Sequence, residues 1–433
     1  MPFLSNQMHR RLLHFSLSLY LIATWCSMAG MEIFGWLTAV IVFTYFLRKP
    51  ADETLRVSDF STALPWKSCI ALVIITALGI FINGTPQTDE LFAIGSQRWV
   101  IVLFFLSLAL SVSFPTLKSY RFFLGFVIIL ALYAIFQSLT GIDILRPGSH
   151  RAVQPLGLKS TIELWRSSGF FGSPLQYGYI AGFYACLCLA MALLTFARRK
   201  EFGWIFTGSV SAFILLTTSI ITTFTRGAWI AMVVAFLFVA WTASKKIAAC
   251  LVGVGAAVFT ILFSTVDIFR MRVLTLFNSG YGSNSDRVFL WKANWEMFKD
   301  YPILGIGYQE NEVRAGEYVA RLGQPDAFTG HAHNNYLQML AGTGITGFLT
   351  YMFIISFMLW LTWRLWKTLP QEMIWPRAIA LGALGAQIHL HIGGFTEANF
   401  KTGTTNHNFM VVWALIVALT VLQKKGLLRS KAS

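Results

Sequence analysis

The residues best suited to chemistry lie in one short polar segment, residues 330–338, with the sequence GHAHNNYLQ. Its two histidines, His331 and His333, are separated by a single residue. A neutral imidazole can accept a proton near neutral pH, because the pKa of a free histidine is about 6.5. A His-x-His pair could also bind a metal ion, but no carboxylate stands at the usual ligand spacing beside it. The segment therefore predicts a general base, with a metal site as the alternative.

Two arginines stand where a positive charge is costly. Arg166 lies in the sequence WRSSGFFGSP directly before an apolar stretch, and Arg226 lies in FTRGAW between two apolar stretches with almost no connection. A guanidinium in such a position must be paired, hydrated or extended toward lipid phosphates. The other interpretation is a guanidinium pair that binds a phosphate or diphosphate, since arginine contacts two phosphate oxygens at once.

Further polar residues are weaker candidates, because each suits a structural or loop position as well. Two of them fall inside an apolar stretch, where a desolvated histidine needs a partner. The weaker candidates are Arg151, Glu310, Arg314, Glu397, and the two intramembrane histidines His389 and His391.

The composition limits the kind of protein that can position these residues. The chain has 433 residues, of which 56% are hydrophobic and only 12% are charged, and its mean hydropathy is +0.61. An ordinary soluble domain has about 25% charged residues. So few charges cannot cover the surface of a soluble protein of this size. A soluble enzyme, a disordered chain and a disulfide scaffold are excluded.

The apolar residues are grouped into stretches that can cross a membrane, since a helical span needs about 20 mostly apolar residues. The sequence predicts an all-α fold without a sheet: a polytopic integral membrane helical bundle of about twelve spans, forming a single membrane domain over residues 1–433. The predicted spans are 12–30, 33–47, 68–84, 98–114, 120–140, 175–197, 203–224, 227–243, 247–266, 337–363, 376–396 and 408–423.

The distribution of charge predicts the orientation of these spans. With both termini in the cytoplasm, 20 of the 34 Lys and Arg and five of the 19 acidic residues fall on the cytoplasmic side. The remaining 14 basic and 14 acidic residues balance on the outer side, so the net charge of +15 is wholly cytoplasmic. This is the bias of the positive-inside rule. The position of the basic residues beside the spans is therefore sufficient to explain the net positive charge, which argues against a nucleic-acid partner.

Two long connections lie on the outer side, over residues 141–174 and 267–336, and short helices are expected in both. In the second, a helix beginning near Asp286 would place Val288, Trp291, Trp295 and Phe298 on one face. Such a face suits either the membrane interface or packing against the bundle, and the two can coexist.

Several short motifs resemble the O-antigen ligase and O-antigen polymerase superfamily of bacterial polysaccharide glycosyltransferases. The resemblance extends to the hydropathy profile of the whole chain, with about twelve spans and one large outer loop late in the sequence. The motifs are RSSGF (166–170), TRGAW (225–229), SDR (285–287) leading to Trp291, YPILGIG (301–307), and HAHNNYL (331–337) leading to GTGITG (342–347).

The resemblance implies a metal-independent glycosyltransferase without a cofactor, in the bacterial inner membrane and with its site facing the periplasm. The donor would be a glycan on undecaprenyl diphosphate. The acceptor would be a sugar hydroxyl of the lipid A core in a ligase, or another lipid-linked repeat unit in a polymerase. Of these two, the ligase is our preferred interpretation, and we expect a single inverting displacement.

The resemblance also implies roles for individual residues. By matching motif positions, Arg166 and Arg226 would bind the diphosphate. His333 would be the base or acceptor-positioning residue, because Asn334 follows it in the motif. Arg287 and His331 match less closely. The expected substrate-binding set is Arg287, His331, Asn334, Arg151 and Glu310.

Two other classes of protein remain alternatives. Twelve spans are also common in secondary transporters, but those place polar groups near the bilayer midplane, often in two similar halves. Here the distinctive residues gather on one face, and no internal repeat is evident. A structural membrane scaffold would leave the outer arginines and histidines unexplained.

Overall fold

The structure is a computed structural model, and it confirms the all-α helical membrane fold. It describes residues 6–48, 54–84, 94–147, 154–155, 164–278, 282–324 and 329–428. Arg151, one of the expected substrate-binding residues, lies outside the described residues.

The α-helices form a bundle, with four further helices inserted between the ninth and fourteenth. In chain order they are α1 (Asn6–Cys26), α2 (Met28–Arg48), α3 (Trp66–Asn83), α4 (Trp99–Val112), α5 (Ser119–Thr140), α6 (Pro174–Thr195), α7 (Gly203–Ile221), α8 (Arg226–Ala243), α9 (Lys245–Thr265), α10 (Asp267–Leu274), α11 (Gly282–Asp300), α12 (Glu310–Val313), α13 (Ala315–Arg321), α14 (Asn335–Thr368), α15 (Ile374–Gly393) and α16 (Gly403–Lys424). Three short 3-10 helices cover Val57–Thr62, Ser96–Arg98 and Phe196–Arg198.

Each of the twelve predicted spans coincides with one of the helices α1–α9 and α14–α16. Within the described part of the chain, nine helices are long and apolar enough to cross a membrane. The other three are α1, the shorter α4 and α15. Helix α15 carries three polar residues, Gln387, His389 and His391, and these are buried inside the bundle rather than exposed to lipid.

Helix α15 is the centre of the bundle, with 17 of its 20 residues buried. It packs against α6, α8, α14 and α16. Gln387 joins two of these neighbours, because its amide donates to Thr362 of α14 at 2.9 Å and its oxygen accepts from Trp413 of α16 at 3.1 Å. Buried hydrogen bonds of this kind fix helices against one another inside a membrane. These contacts hold α15, including its outer end, in a fixed position relative to the neighbouring helices.

The connection between α5 and α6 holds a small sheet that the sequence did not predict. Strands β1 (Gln154–Pro155) and β2 (Trp165–Arg166) pair antiparallel, with Gln154 opposite Arg166. Short helices were expected here, but among the described residues of this connection the regular structure is the two-residue ladder. Two residues per strand are too few to give the alternating pattern by which strands are recognised in sequence.

The connection between α9 and α14 contains the helices α10–α13, so the prediction of helices in this connection is confirmed. Two residues of the expected apolar face of α11 are exposed, however, since Val288 is 43% and Trp295 is 48% exposed. These two residues therefore do not pack against the bundle, while the membrane interface stays open for this face. The packed face is formed instead by Leu290, Ala293 and Met297, which are fully buried. It packs against residues of α13, α14 and the turn after α11, namely Ile306, Ala315, Tyr318, Val319 and Ala341.

Two glycine-containing segments, 301–307 and 342–347, pack backbone against backbone and are joined by main-chain hydrogen bonds. Gly344 has a φ of 62° and interrupts the helical conformation of α14. A Cβ atom on Gly344 would lie 2.3 Å from the carbonyl oxygen of Ile303. The glycines therefore permit close approach and a left-handed backbone, which only glycine adopts without strain.

We expect Gly344→Ala to destabilise the protein strongly. A left-handed backbone costs an alanine about 1–2 kcal/mol, and the contact with Ile303 adds to this. The midpoint of thermal unfolding in detergent measures the effect. Gly253→Ala is the matched control, because a Cβ atom on Gly253 meets nothing within 4 Å and alanine favours helix. Equal unfolding midpoints for the two variants would contradict this account.

Candidate active site

The segment that carries the two histidines is fixed to the outer end of α15. Asn334 is the N-cap of α14, and its side-chain oxygen accepts from the backbone N–H groups of Tyr336 and Leu337 at 2.9 and 3.0 Å. Its amide donates to the carbonyl of Phe395 at 3.1 Å. Asn334, expected to bind substrate, thus has its side chain engaged in positioning the segment beside it.

His333 is paired with a buried carboxylate, Glu397. The Nδ1 atom of His333 lies 3.0 and 3.1 Å from the two carboxylate oxygens. Because an ionised carboxylate only accepts hydrogen bonds, this contact assigns the proton to Nδ1 and leaves Nε2 as the nitrogen that can take up a proton. A carboxylate that orients a histidine in this way is a common arrangement around a general base.

Glu397 is only 6% exposed, yet it is held in its charged form. Burial acts to raise the pKa of Glu397, but the hydrogen bond from His333, the charge interactions with the two histidines and, least, the positive charge of Arg287 bring it below its ordinary value. Arg287 approaches the carboxylate to 3.8 Å. The site therefore contains a fixed negative charge against His333.

His331 lies beside His333 and is held neutral. The two ring centroids are 4.1 Å apart, and the Nδ1 atom of His331 accepts the backbone N–H of His333 at 3.2 Å. Burial lowers the pKa of His331 to about 4, against the opposing influence of Glu397. His331 thus contacts both the backbone and the ring of its neighbour, while the short contact to the carboxylate belongs to His333.

Arg226 is connected to this group through the first turn of α11. Its guanidinium donates to the carbonyl and hydroxyl oxygens of Thr275 at 2.8 and 2.9 Å, and to the side-chain oxygen of Asn284 at 2.8 Å. Asn284 stands three residues before Arg287, which reaches Glu397. Residues three apart lie on the same face of a helix. One face of α11 therefore contacts both Arg226 and the carboxylate.

Arg166 lies against the same turn as Arg226. Its Nε donates to the carbonyl of Thr223 at 3.0 Å, and its guanidinium donates to the hydroxyl of Thr225 at 3.3 Å. Thr225 directly precedes Arg226. The structure thus places the guanidinium of Arg166 against the residue directly before Arg226, at the start of α8.

The start of α8 also touches the residue before Glu397. A Cβ atom on Gly227 would lie 2.3 Å from the hydroxyl of Thr396, so only glycine allows this approach. The turn that carries Arg166 and Arg226 and the turn that carries Glu397 are therefore in direct contact, independently of α11.

The backbone is strained at two places in this site. Phe224, two residues before Arg226, has a φ of 51°, and His333 has a φ of 45°. Residues other than glycine adopt such angles only where the surrounding structure enforces them, often at functional sites. Both deviations lie within two residues of a side chain that the sequence singled out.

A second polar network supports the histidine segment from the side of α12. The side-chain oxygen of Gln338 accepts the backbone N–H of Ala332 at 2.9 Å, and its amide donates to Glu312 at 2.7 Å. Glu312 is paired with Lys401. Glu310, which the sequence favoured, is fully buried next to this network, while Glu312 makes the ion pair.

Sequence reasoning ranked some of these residues too low and missed others. Glu397 was a weaker candidate, and its position directly after a span on the side of the histidines was the available signal. Gln338 belongs to the polar segment 330–338. Nothing in the sequence pointed to the other supporting residues, Asn284, Glu312 and Lys401, because each is placed by a contact between distant segments.

His331, His333 and Glu397 could supply three ligands to a metal ion, since one ligand atom of each lies within 4.8 Å of the others. Two contacts oppose a cation there. The bond from the backbone of His333 to Nδ1 of His331 assigns the proton to Nε2, the atom that faces Glu397 at 3.7 Å. The guanidinium of Arg287 also lies beside the carboxylate. For a metal ion to bind here, these two contacts would have to change.

The comparisons with known proteins agree with the motifs. Residues 211–352, about a third of the chain, match the family model described as O-antigen ligase. The matched region includes the segments 225–229 and 331–337, whereas Arg166 and Glu397 lie outside it. The resemblance to the O-antigen ligase superfamily is thus confirmed. A search of curated proteins gives no match to this chain.

Proposed function

We propose that this chain is an O-antigen ligase-like membrane glycosyltransferase. It moves a glycan from undecaprenyl diphosphate to a sugar hydroxyl acceptor, the lipid A core. The family match supports a ligase-like or polymerase-like enzyme. The observation that carries the more specific proposal is that the His333–Glu397 pair and three arginines, Arg166, Arg226 and Arg287, converge at one end of the helical bundle.

The arginines are proposed to bind the diphosphate of the donor. Breaking the bond between sugar and diphosphate builds negative charge on the leaving group, and positive groups already fixed in place stabilise that charge most effectively. Arg166 and Arg226 are fixed by hydrogen bonds to threonine and asparagine oxygens. Arg287, whose guanidinium approaches Glu397 to 3.8 Å, adds a third positive charge to the same group.

His333 is proposed to be the general base. Its Nε2 takes the proton from the acceptor hydroxyl as that oxygen bonds to the anomeric carbon of the donor sugar. The bond from this carbon to the diphosphate oxygen breaks, and the electron pair leaves with the diphosphate. Glu397 stabilises the imidazolium formed on His333. One displacement inverts the configuration of the transferred sugar, so a product with retained configuration would rule this mechanism out.

The location proposed for the enzyme follows from its substrates and its charge. A polyprenyl tail needs contact with lipid, while the sugars need water, and a site at the outer ends of the spans offers both. The cytoplasmic excess of basic residues supports both termini in the cytoplasm and a site facing the periplasm of the bacterial inner membrane.

The proposal is tested by an in vitro transfer assay with the purified protein and undecaprenyl-diphosphate glycan. Lipid A core and additional lipid-linked repeat units are offered as acceptors in separate reactions. Product on the lipid A core supports the ligase, whereas chains that grow on the carrier would establish a polymerase. If neither acceptor reacts and His333 variants behave like wild type in cells, the transferase is wrong, and a transporter becomes the next hypothesis.

We expect transfer to continue at an unchanged rate in EDTA, because Arg287 and the hydrogen bond between the two histidines oppose a cation at Glu397. The measurement compares initial rates before and after prolonged dialysis against EDTA. Loss of activity that only added Zn²⁺, Mn²⁺ or Mg²⁺ restores would instead identify His331, His333 and Glu397 as metal ligands.

A further inference from the structure

A large apolar ring, that of Phe395, is exposed beside the candidate base. The side chain is 53% exposed and stands two residues before Glu397. Exposed aromatic residues are common on the lipid-facing sides of membrane helices. The position of Phe395 in the fold must therefore be considered before a role is assigned to its ring.

Phe395 does not continue a lipid-facing surface. It follows the end of α15, and 17 of the 20 residues of that helix are buried by neighbouring helices. Residues on either side of the ring are also buried: His391 precedes it, and Glu397, Ala398 and Asn399 follow it. The ring therefore lies at the end of a central helix, beside the segment that carries His333, since the carbonyl of Phe395 accepts from the amide of Asn334.

The ring of Phe395 is held in place from two directions. It packs against Tyr336 in a tilted arrangement, with ring centroids 4.5 Å apart and planes inclined by 36°. The hydroxyl of Tyr336 donates to the carbonyl of His391 at 2.9 Å. The carbonyl of Phe395 accepts from Asn334, the residue after His333. The two rings therefore form a rigid surface, here called the aromatic platform (Tyr336 and Phe395), which loses little entropy on binding.

The aromatic platform lies close to the base. Two extended residues span at most about 7 Å, so the backbone of Phe395 lies within that distance of Glu397, whose carboxylate contacts His333. The arginines approach Glu397 from other elements, α8 and α11, so the donor diphosphate and the aromatic platform do not compete for the same contacts.

We propose that the aromatic platform binds the acceptor, with the apolar face of its terminal sugar stacked on Phe395. The C–H groups on one face of a pyranose carry small positive partial charges, and the face of an aromatic ring is negative. Stacking there would place a hydroxyl of the same sugar next to Nε2 of His333. This inference rests on the proposed function, because it assigns the acceptor subsite of that reaction.

Phe395→Ala is expected to raise the KM for the acceptor by about 3–10-fold, the usual effect of one aromatic stacking contact. The kcat and the KM for the donor should stay within twofold of wild type. Phe395→Trp, which keeps a stacking surface, should restore the acceptor KM. Phe122→Ala is the control, because Phe122 is 83% exposed on α5 and loses the same ring away from the site.

A binding measurement separates failure of the platform from failure of the proposed function. The water-soluble glycan of the acceptor, without its lipid, is titrated into wild type and Phe395→Ala in detergent. Binding by wild type that the variant loses supports the platform even if no transfer is observed. Equal binding together with an unchanged acceptor KM overturns it, and a raised donor KM would assign the ring to the polyprenyl-linked substrate instead.

Discussion

Replacing His333 with asparagine is expected to reduce kcat for glycan transfer by about 10²–10⁴-fold, the usual contribution of a general base. Asparagine tolerates the left-handed backbone at this position, and its amide can still donate to Glu397. The variant therefore removes the ability to accept a proton with little disturbance of the fold. His333→Ala should lose transfer to a similar extent, but it also leaves Glu397 without its closest hydrogen-bond donor.

The same change at an unrelated histidine provides the control. His14 contacts the hydroxyl of Ser113 at the other end of the bundle, and His14→Asn is expected to retain full activity. Unfolding midpoints of all three variants show whether lost activity reflects lost structure. If His333→Asn transfers glycan at more than a tenth of the wild-type rate while remaining folded, His333 is not the base.

A variant of Glu397 tests whether transfer depends on the negative charge of this residue or only on its hydrogen bond with His333. Glu397→Gln keeps an oxygen that can accept from Nδ1 of His333, but removes the negative charge that stabilises the imidazolium. The expected loss of transfer is therefore smaller than for His333→Asn, and the two losses should not add, because residues of one catalytic unit act together.

The helices and the side on which the site lies are predictable from the sequence, while the contacts within the site are not. Two spans, α14 and α15, separate His333 from Glu397, and two crossings return the chain to the same side. The sequence therefore predicts that both residues lie at the same end of the bundle. That they pair at 3.0 Å depends on how α14 packs against α15, which hydropathy does not encode.

Helix α11 shows a second limit of sequence patterns. The expected face was predicted from the helical spacing of its apolar residues, Trp295 among them. The packed face is centred on Ala293, a small residue that allows the neighbouring helices to approach closely, and on Asn294, which accepts a hydrogen bond from Asn311 at 2.8 Å. Close packing and buried polar pairs decide the orientation of this helix, and neither appears in a hydrophobic pattern.

Arg226→Ala is expected to lower transfer by about 10²–10³-fold, comparable to the loss of one donor that stabilises developing negative charge. It should also lower stability, because the oxygens of Thr275 and Asn284 lose their charged partner. Hydrogen bonds to charged groups contribute about 1.5–3 kcal/mol. A low rate in this variant alone would therefore not distinguish a diphosphate ligand from a structural anchor.

Two further variants make that distinction. Asn284→Ala removes one of the structural contacts of Arg226 but leaves its guanidinium in place. If Arg226 acts by charge, Asn284→Ala loses stability and keeps most of the transfer rate. Arg226→Lys keeps the charge, but a single ammonium group cannot reproduce the planar, bidentate contacts of a guanidinium. It should therefore recover only part of the transfer rate.

The affinity of the protein for inorganic pyrophosphate measures the charge effect directly, without any reaction. Binding should be strong in wild type, weaker in Arg226→Lys and weakest in Arg226→Ala, and it should decrease as salt is added, because ions screen exposed charges. Asn284→Ala should bind pyrophosphate like wild type despite its lower stability. If pyrophosphate affinity instead follows the order of unfolding midpoints across the four proteins, Arg226 acts through the fold alone, and the diphosphate contact must be sought at Arg166 and Arg287.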